Sequence, residues 1–392
     1  MKNRFRLFAC LGVLCMLLTG CNNGGGSTKP PVHEHTWGAP IYTWSVDYSS
    51  CTALRVCLED ESHKESETVN STYAVITPAT EEEEGLGRYT ATFTSVAFNT
   101  QTVDIVLDKL EPYYGQTPIL SEDGKTITYG LYPQTNVNDS TLVSALNALA
   151  TPESNGWYLY EGDYYAKLSA TPYSSSYKFD NGTTIVSGKT YWFKCEPIPW
   201  NVLSNNSGEY YILSSVLLDV HCYYNSTSSR TIDGQTVYTN NYKYSDIRTW
   251  LNNDFYNSAF ALGNSHIQTT TVDNSASTTD SSSNRYACAN TEDKVFLPSY
   301  QDYINSSYGF STSIDSTNTR YCITTDWARA KGAFYSTHSS YLYNGYYWTR
   351  SPDSGYSYYA WYVSVDGYLY CDRYRVNRTD FCVRPSLSIK IA

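Results

Sequence analysis

The sequence predicts a small all-β module followed by a larger domain that mixes strands with a few short helices. Three observations carry this. Alternating runs rich in Thr, Val, Tyr and Phe, broken by turn residues, fill positions 33–111. Beyond them, buried-strand patterns such as Tyr191-Trp-Phe-Lys-Cys and Tyr210-Tyr-Ile-Leu-Ser stand beside two capped helical segments. Near the C-terminus, Asp366-Gly367 lies between alternating residues, a strong hairpin signal.

The N-terminus has the layout of an exported lipoprotein. Lys2, Arg4 and Arg6 precede an apolar stretch, Leu7 to Leu18, that is short for a membrane span and suits a signal peptide. Leu18-Thr-Gly-Cys21 follows and resembles the bacterial lipobox. The resemblance implies removal of residues 1–20 and lipid attachment at Cys21. Residues 21–32 read as a flexible tether that stiffens at its prolines. The expected location is the extracytoplasmic face of the cell membrane, with the lipid at Cys21 as anchor and no later segment apolar enough to span.

Composition narrows the partners. The chain of 392 residues carries a net charge of -11, which disfavours nucleic acid. Its 40 tyrosines combine apolar area with a polar tip, a chemistry shared by exposed strands and sticky surfaces. Of 11 cysteines, Cys10 and Cys15 fall in the signal and Cys21 takes the lipid. The rest are compatible with disulfides in an exported protein or with buried thiols.

The module at 33–111 contains Thr43-Trp-Ser, Ala53-Leu-Arg-Val-Cys57, Asp60-Glu-Ser-His63 and Tyr89-Thr-Ala-Thr-Phe93. On these elements it resembles short modules, often repeated, on surface proteins of Gram-positive bacteria. The resemblance implies a spacer or adhesive role. His33, His35, Cys51, Cys57 and His63 are residue types that could meet around a metal. A Cys51–Cys57 disulfide, or cysteines packed in a small core, explains the same residues, and no metal or other cofactor is assigned.

The larger domain runs from 125 to 392. Thr126 to Gln134 opens it as a strand, and Thr141 to Leu149 is a short amphipathic helix with Thr or Ser at its cap. Ser245 caps a helix that places Ile247, Trp250, Leu251 and Phe255 at helical spacing. Val295-Phe-Leu-Pro reads as a strand, and a further helix over Thr325 to Lys331 ends at Gly332. Tyr129-Gly-Leu-Tyr-Pro-Gln, Pro199-Trp-Asn-Val-Leu, Ser245-Asp-Ile-Arg-Thr-Trp-Leu-Asn, Asp293-Lys-Val-Phe-Leu, Trp348-Thr-Arg-Ser-Pro, Asp366-Gly and Val383-Arg-Pro-Ser-Leu occur in series. This order resembles the DUF6273 family of uncharacterised domains from gut-associated Firmicutes and relatives. The end of the series also looks, more distantly, like C-type-lectin-fold domains of the formylglycine-generating-enzyme kind. That second likeness implies an α+β fold with a C-type-lectin-like C-terminal domain and loops displayed on one side.

No Gly-x-Ser-x-Gly, His-Glu-x-x-His, P-loop or dinucleotide fingerprint is present, and no catalytic residue is assigned. Arg248, Arg350 and Arg384 read as structural, bonded to buried carbonyls or acids. With Asp366-Gly367 as a two-residue loop, Val363 faces Tyr370 and Val365 faces Tyr368, on the core side. Tyr362 and Ser364 then point outward, with Tyr356, Tyr358 and Tyr359 on the preceding loop and Tyr374, Arg375 and Asn377 on the returning segment. Large aromatics among small polar residues make this set a binding surface for a glycan or a protein. A glycan-acting surface enzyme and an envelope module without ligand are the alternatives.

Overall fold

The computed structural model describes residues 34–79, 83–108, 115–153 and 155–391. Residues 1–33, on which the expected signal peptide, Cys21, the expected tether and His33 fall, lie outside the described residues. Two compact units meet in sequence at residues 110 and 111.

The first unit is two three-stranded antiparallel sheets, Ile41–Trp44 with Ser50–Val56 and Lys64–Asn70, then Thr72–Thr77 with Gly85–Ala91 and Gln101–Leu107. Its core is small: Cys51, Ala53, Ala91, Phe93 and Phe98, with Tyr42, Trp44 and Val69 against it. Charged pairs cross the strands on the outer faces, Arg55 with Glu65 and Arg88 with Asp104. Glu67 accepts hydrogen bonds from Thr94 and from the amide of Ser95, which hold its carboxyl below the usual range.

The second unit is built on the 17-residue strand Thr190–Asn206. One antiparallel sheet runs Ser386–Lys390, Glu209–Ser214, Thr190–Asn206, Asp163–Ser169, Tyr158–Tyr160, and Thr126–Asn136 also pairs with the long strand. Register shifts in that last pairing fall between Lys194 and Cys195 and between Pro197 and Pro199. The second lies between two residues that have no N–H to donate to a ladder. A second sheet orders Asp219–Val220, Cys382–Val383, Tyr347–Pro352, Ala360–Val363, Leu369–Tyr370. The main core carries Tyr129, Trp200, Tyr223, Trp348, Tyr362 and Phe381.

The helices are short. Ser140–Asn147 is capped by Asp139, not by the Thr or Ser the sequence suggested, and the carboxylate accepts from the amides of Thr141 and Leu142. Ser245 caps Asp246–Trp250 as expected, accepting from the amide of Arg248. The run then loosens into a π turn, Leu251–Phe255, before Tyr256–Ala259. Ile247, Leu251 and Phe255 are buried, while Trp250 is half-buried and stacks on His221 at 5.3 Å. Thr325 caps Asp326–Ala330, and Gly332 follows in the left-handed region. Near Val295 the paired strand is Thr291–Asp293, with Phe296 joined to Ser386 by a single bridge.

These proportions correct the fold class. Strands make up 38% and helices 13%, spread over several sheets, so the protein is mostly β and does not have the expected α+β, C-type-lectin-like architecture. The helix signals at Ser245 and Thr325 were sound locally, but each supports only one to four turns laid against sheets.

Four arginines that tie the second unit together are buried: Arg320, Arg329, Arg350 and Arg384. Arg350 donates to the carbonyl of Leu297 and to Asp302, each at 2.9 Å, and Arg384 to the carbonyl of Ser214 and the Tyr347 hydroxyl. Arg248, at the rim, pairs with buried Asp293 at 2.6 Å. Among the described residues, the hydrogen-bond partners of Arg320 are all carbonyls. Its guanidinium donates to those of Tyr303, Ser311, Ser313, Asp315 and Gly367 at 2.7 to 3.1 Å.

Candidate functional site

The Tyr-rich hairpin folds in a register one residue from that predicted. Tyr362 pairs with Tyr370 and Val363 with Leu369, and the amide of Ser364 donates to the Tyr368 carbonyl. The loop is therefore three residues, Val365, Asp366 and Gly367, closed by the Gly367 amide on the Ser364 carbonyl. Gly367 sits at φ +77°, the left-handed conformation such loops require. An added Cβ there would lie 2.0 Å from the Thr317 carbonyl oxygen.

Ala360–Val363 is buried on both faces. Tyr362, expected outward, is 1% exposed and rings against Trp348, Tyr346, Phe381 and Tyr374. Ser364 is also buried. Tyr374 is half-buried, with the Arg378 guanidinium 5.1 Å from its ring centroid.

The flanking segments are where ring faces reach solvent. Tyr356 is 54% exposed, and Tyr356, Tyr358 and Tyr359 form a cluster with centroids 4.6 to 5.7 Å apart. The cluster is held from beneath. Asp353, whose carboxyl is raised by burial, accepts from the Tyr356 amide at 2.8 Å, and Asn240 donates to the carbonyls of Tyr356 and Tyr359. Arg375 bridges to Tyr359 along the backbone and places its guanidinium 5.2 Å from the Tyr358 ring centroid. The next amide, that of Val376, donates to the Tyr358 carbonyl. Val376 is buried while Arg375 and Asn377, in the same turn, are exposed.

Asn377 lines an open cleft of about 620 Å³ with Thr171, Tyr173, Lys331, Gly332, Arg378, Thr379 and Asp380. Tyr173 is 49% exposed and is set edge-on to Phe334. Arg378 and Asp380 form a two-bond pair at 2.7 and 2.6 Å, which raises the arginine further. Lys331 is bound to buried Asp219 at 2.7 Å. Both cleft cations are thus neutralised by carboxylates. Arg375 and Asn377 belong to one turn, closed by the Arg378 amide on the Arg375 carbonyl, so the aromatic cluster and the cleft are neighbours on the surface.

Nucleophile geometry is poor elsewhere. Cys51, Cys195, Cys222, Cys288, Cys322, Cys371 and Cys382 are free thiols among the described residues. Burial pushes up the thiols of Cys51, Cys195, Cys222, Cys288, Cys322 and Cys382, Cys322 to about 11. Cys371 is raised for the same reason, reinforced by Asp353 and Asp280. His221 turns Nδ1 to the carbonyl of Cys222 at 2.7 Å and stacks on Trp250, so the two neighbours form no dyad. Asp366 accepts from the Ser316 hydroxyl in the hairpin turn.

Residues 207–391 match the family model of DUF6273, a domain of unknown function. No curated protein and no solved structure matches the chain. The matched segment begins in the turn between Thr190–Asn206 and Glu209–Ser214, where the end of the long strand from Trp200 to Asn206 pairs with the shorter one. It therefore holds two of that sheet's seven strands, Glu209–Ser214 and Ser386–Lys390, and the other five, from Ile119 to Asn206, precede it. The cleft straddles the same line: Thr171 and Tyr173 come before the DUF6273 segment, and Lys331 and Asn377 to Asp380 lie within it.

Of the predicted residues, Tyr356, Tyr358, Tyr359, Arg375 and Asn377 lie on this surface, while Tyr173, Lys331, Arg378 and Asp380, which line the cleft, were not predicted. Nothing local marks Tyr173, which reaches the cleft from some 200 positions away in sequence. The spacing Arg378-Thr-Asp380, which permits a planar ion pair over one turn, was the available signal for the other end.

Proposed function

We propose that the second unit is a non-enzymatic binding domain for a glycan, and that the chain presents it at the outer face of the membrane through a lipid on Cys21. The observation that carries the reading is the strip that joins ring faces to planar polar groups. Tyr356, Tyr358 and Tyr359 offer apolar faces suited to the C–H side of a sugar ring. Arg375, Asn377, and the paired Arg378 and Asp380 offer donors and acceptors at spacings suited to hydroxyl groups. The cleft is open and its charges are paired, which supports recognition over proton transfer. The lipobox-like Leu18-Thr-Gly-Cys21 supports the anchoring.

Glycan-array binding of the purified chain tests the reading. Tyr173→Ala with Asn377→Ala should weaken binding at least about tenfold, roughly 1.4 kcal/mol, with the melting temperature unchanged. Undiminished binding in that double variant removes the cleft from the site. Turnover of the bound glycan would replace the binding reading with the enzymatic one. Capture of a protein ligand lost on Tyr356→Ala, with the array silent, would assign the surface to a protein partner, and silence in both assays would favour an envelope module. Cys21→Ser should abolish incorporation of labelled lipid.

A further inference from the structure

The first unit holds a cluster that the binding surface does not use. We infer that His35, Cys57 and His63 form a binding site for a divalent transition-metal ion, zinc by the chemistry of its donors. Their ligand atoms all lie within 4.8 Å of one another. Donors around a tetrahedral zinc are roughly 3.3–3.8 Å apart, from bond lengths of about 2.0–2.3 Å. Closing that gap takes about 1 Å, within reach of small rotations of His35, which is exposed, and His63, which is half-buried.

The backbone brings these residues together in two steps. Trp37 pairs with Cys57 in an antiparallel bridge, flanked by hydrogen bonds from the Gly38 amide to the Val56 carbonyl and from the Leu58 amide to the Thr36 carbonyl. Opposed residues share a face, and His35 is two positions from Trp37, so His35 and Cys57 lie on the same side. The chain then turns back over 58–63. Asp60 accepts from the amide and hydroxyl of Ser62, the His63 amide donates to the Asp60 carbonyl, and the Cys57 amide donates to the His63 carbonyl. That turn sets the His63 ring edge-on to His35 with centroids 4.8 Å apart. Asp60 Oδ2 lies 3.8 Å from His63 Nδ1, at ion-pair distance, which adds negative charge beside the cluster.

The two cysteines among this unit's described residues separate cleanly. Cys51 packs with Ala53, Ala91 and Phe93 in the core, whereas Cys57 belongs to the histidine cluster. Binding takes the proton from the Cys57 thiol to solvent, forms a sulfur–metal bond, and uses both histidines as neutral imidazoles. Three protein donors leave a fourth position for water or a further donor. The ion would fasten the entering segment 34–38 to the edge of the first sheet. A unit with so few buried apolar residues is the kind that needs such a staple.

The test uses the full chain, freed of metal with a chelator and titrated with Co²⁺ and then Zn²⁺. The expected result is one equivalent bound, with a sulfur-to-cobalt charge-transfer band and the strong d–d absorption of a tetrahedral ion. Cys57→Ser should remove the charge-transfer band. His35→Ala, at an exposed position that leaves folding intact, should weaken zinc at least about 100-fold, since even outer-shell partners are worth 10–100-fold. Cys51→Ala should keep both band and stoichiometry. No bound metal, a band that survives Cys57→Ser and vanishes in Cys51→Ala, or a Cys51–Cys57 disulfide in the isolated protein would each overturn the assignment.

Discussion

The hairpin Ala360–Tyr370 and the segments on either side of it, 354–359 and 371–380, all carry tyrosine among small or polar residues. Their fates are opposite. In the hairpin, Trp361, Tyr362, Val363 and Leu369 are buried, and Tyr362 is enclosed by five other rings among the described residues. In the flanks, Tyr356, Arg375 and Asn377 stand in solvent. Tyrosine composition therefore says how a surface could bind, and the layers packed above and below a strand decide which tyrosines are on a surface at all.

The contrast can be broken at its foundations first. Arg320 holds the hairpin turn through the Gly367 carbonyl while binding four other carbonyls. Arg320→Met strands all five acceptors, and at roughly 1 kcal/mol or more each the loss should reach about 5 kcal/mol in denaturant unfolding. Tyr362→Ala should cost about 3–5 kcal/mol, the usual price of emptying an aromatic core site. Gly367→Ala forces a side chain into a left-handed turn against the Thr317 carbonyl and should cost about 2–3 kcal/mol, read as a lower thermal midpoint. Tyr356→Ala lies at the other extreme. It should leave stability within about 0.5 kcal/mol and act on ligand binding alone.

Much of the second unit was legible because the signals were local. Ser245 caps its helix, and Ile247, Leu251 and Phe255 turn inward at the predicted spacing. Arg248, Arg350 and Arg384 bind acids and carbonyls as their fixed charge required. The hairpin register was not legible, because Asp-Gly serves both a two-residue loop and a three-residue loop with glycine in the left-handed position. That one-residue difference reassigns every cross-strand partner. Nor could alternation reveal that Ala360–Val363 is covered on both faces, since a doubly buried strand has no polar side to alternate. The fold class failed for a related reason: capping residues announce that a helix starts, not how few turns follow before a sheet takes over.

Tyrosine-selective labelling of the native chain, read residue by residue by mass spectrometry, tests the division between core hairpin and exposed flanks most directly. Tyr356 should be modified first, with Tyr358 and Tyr359 following, while Tyr362 and Tyr347 react only after unfolding. A ligand found on the surface should slow Tyr356 and leave Tyr362 untouched. Labelling of Tyr362 in the folded protein at the rate of Tyr356 would contradict the account.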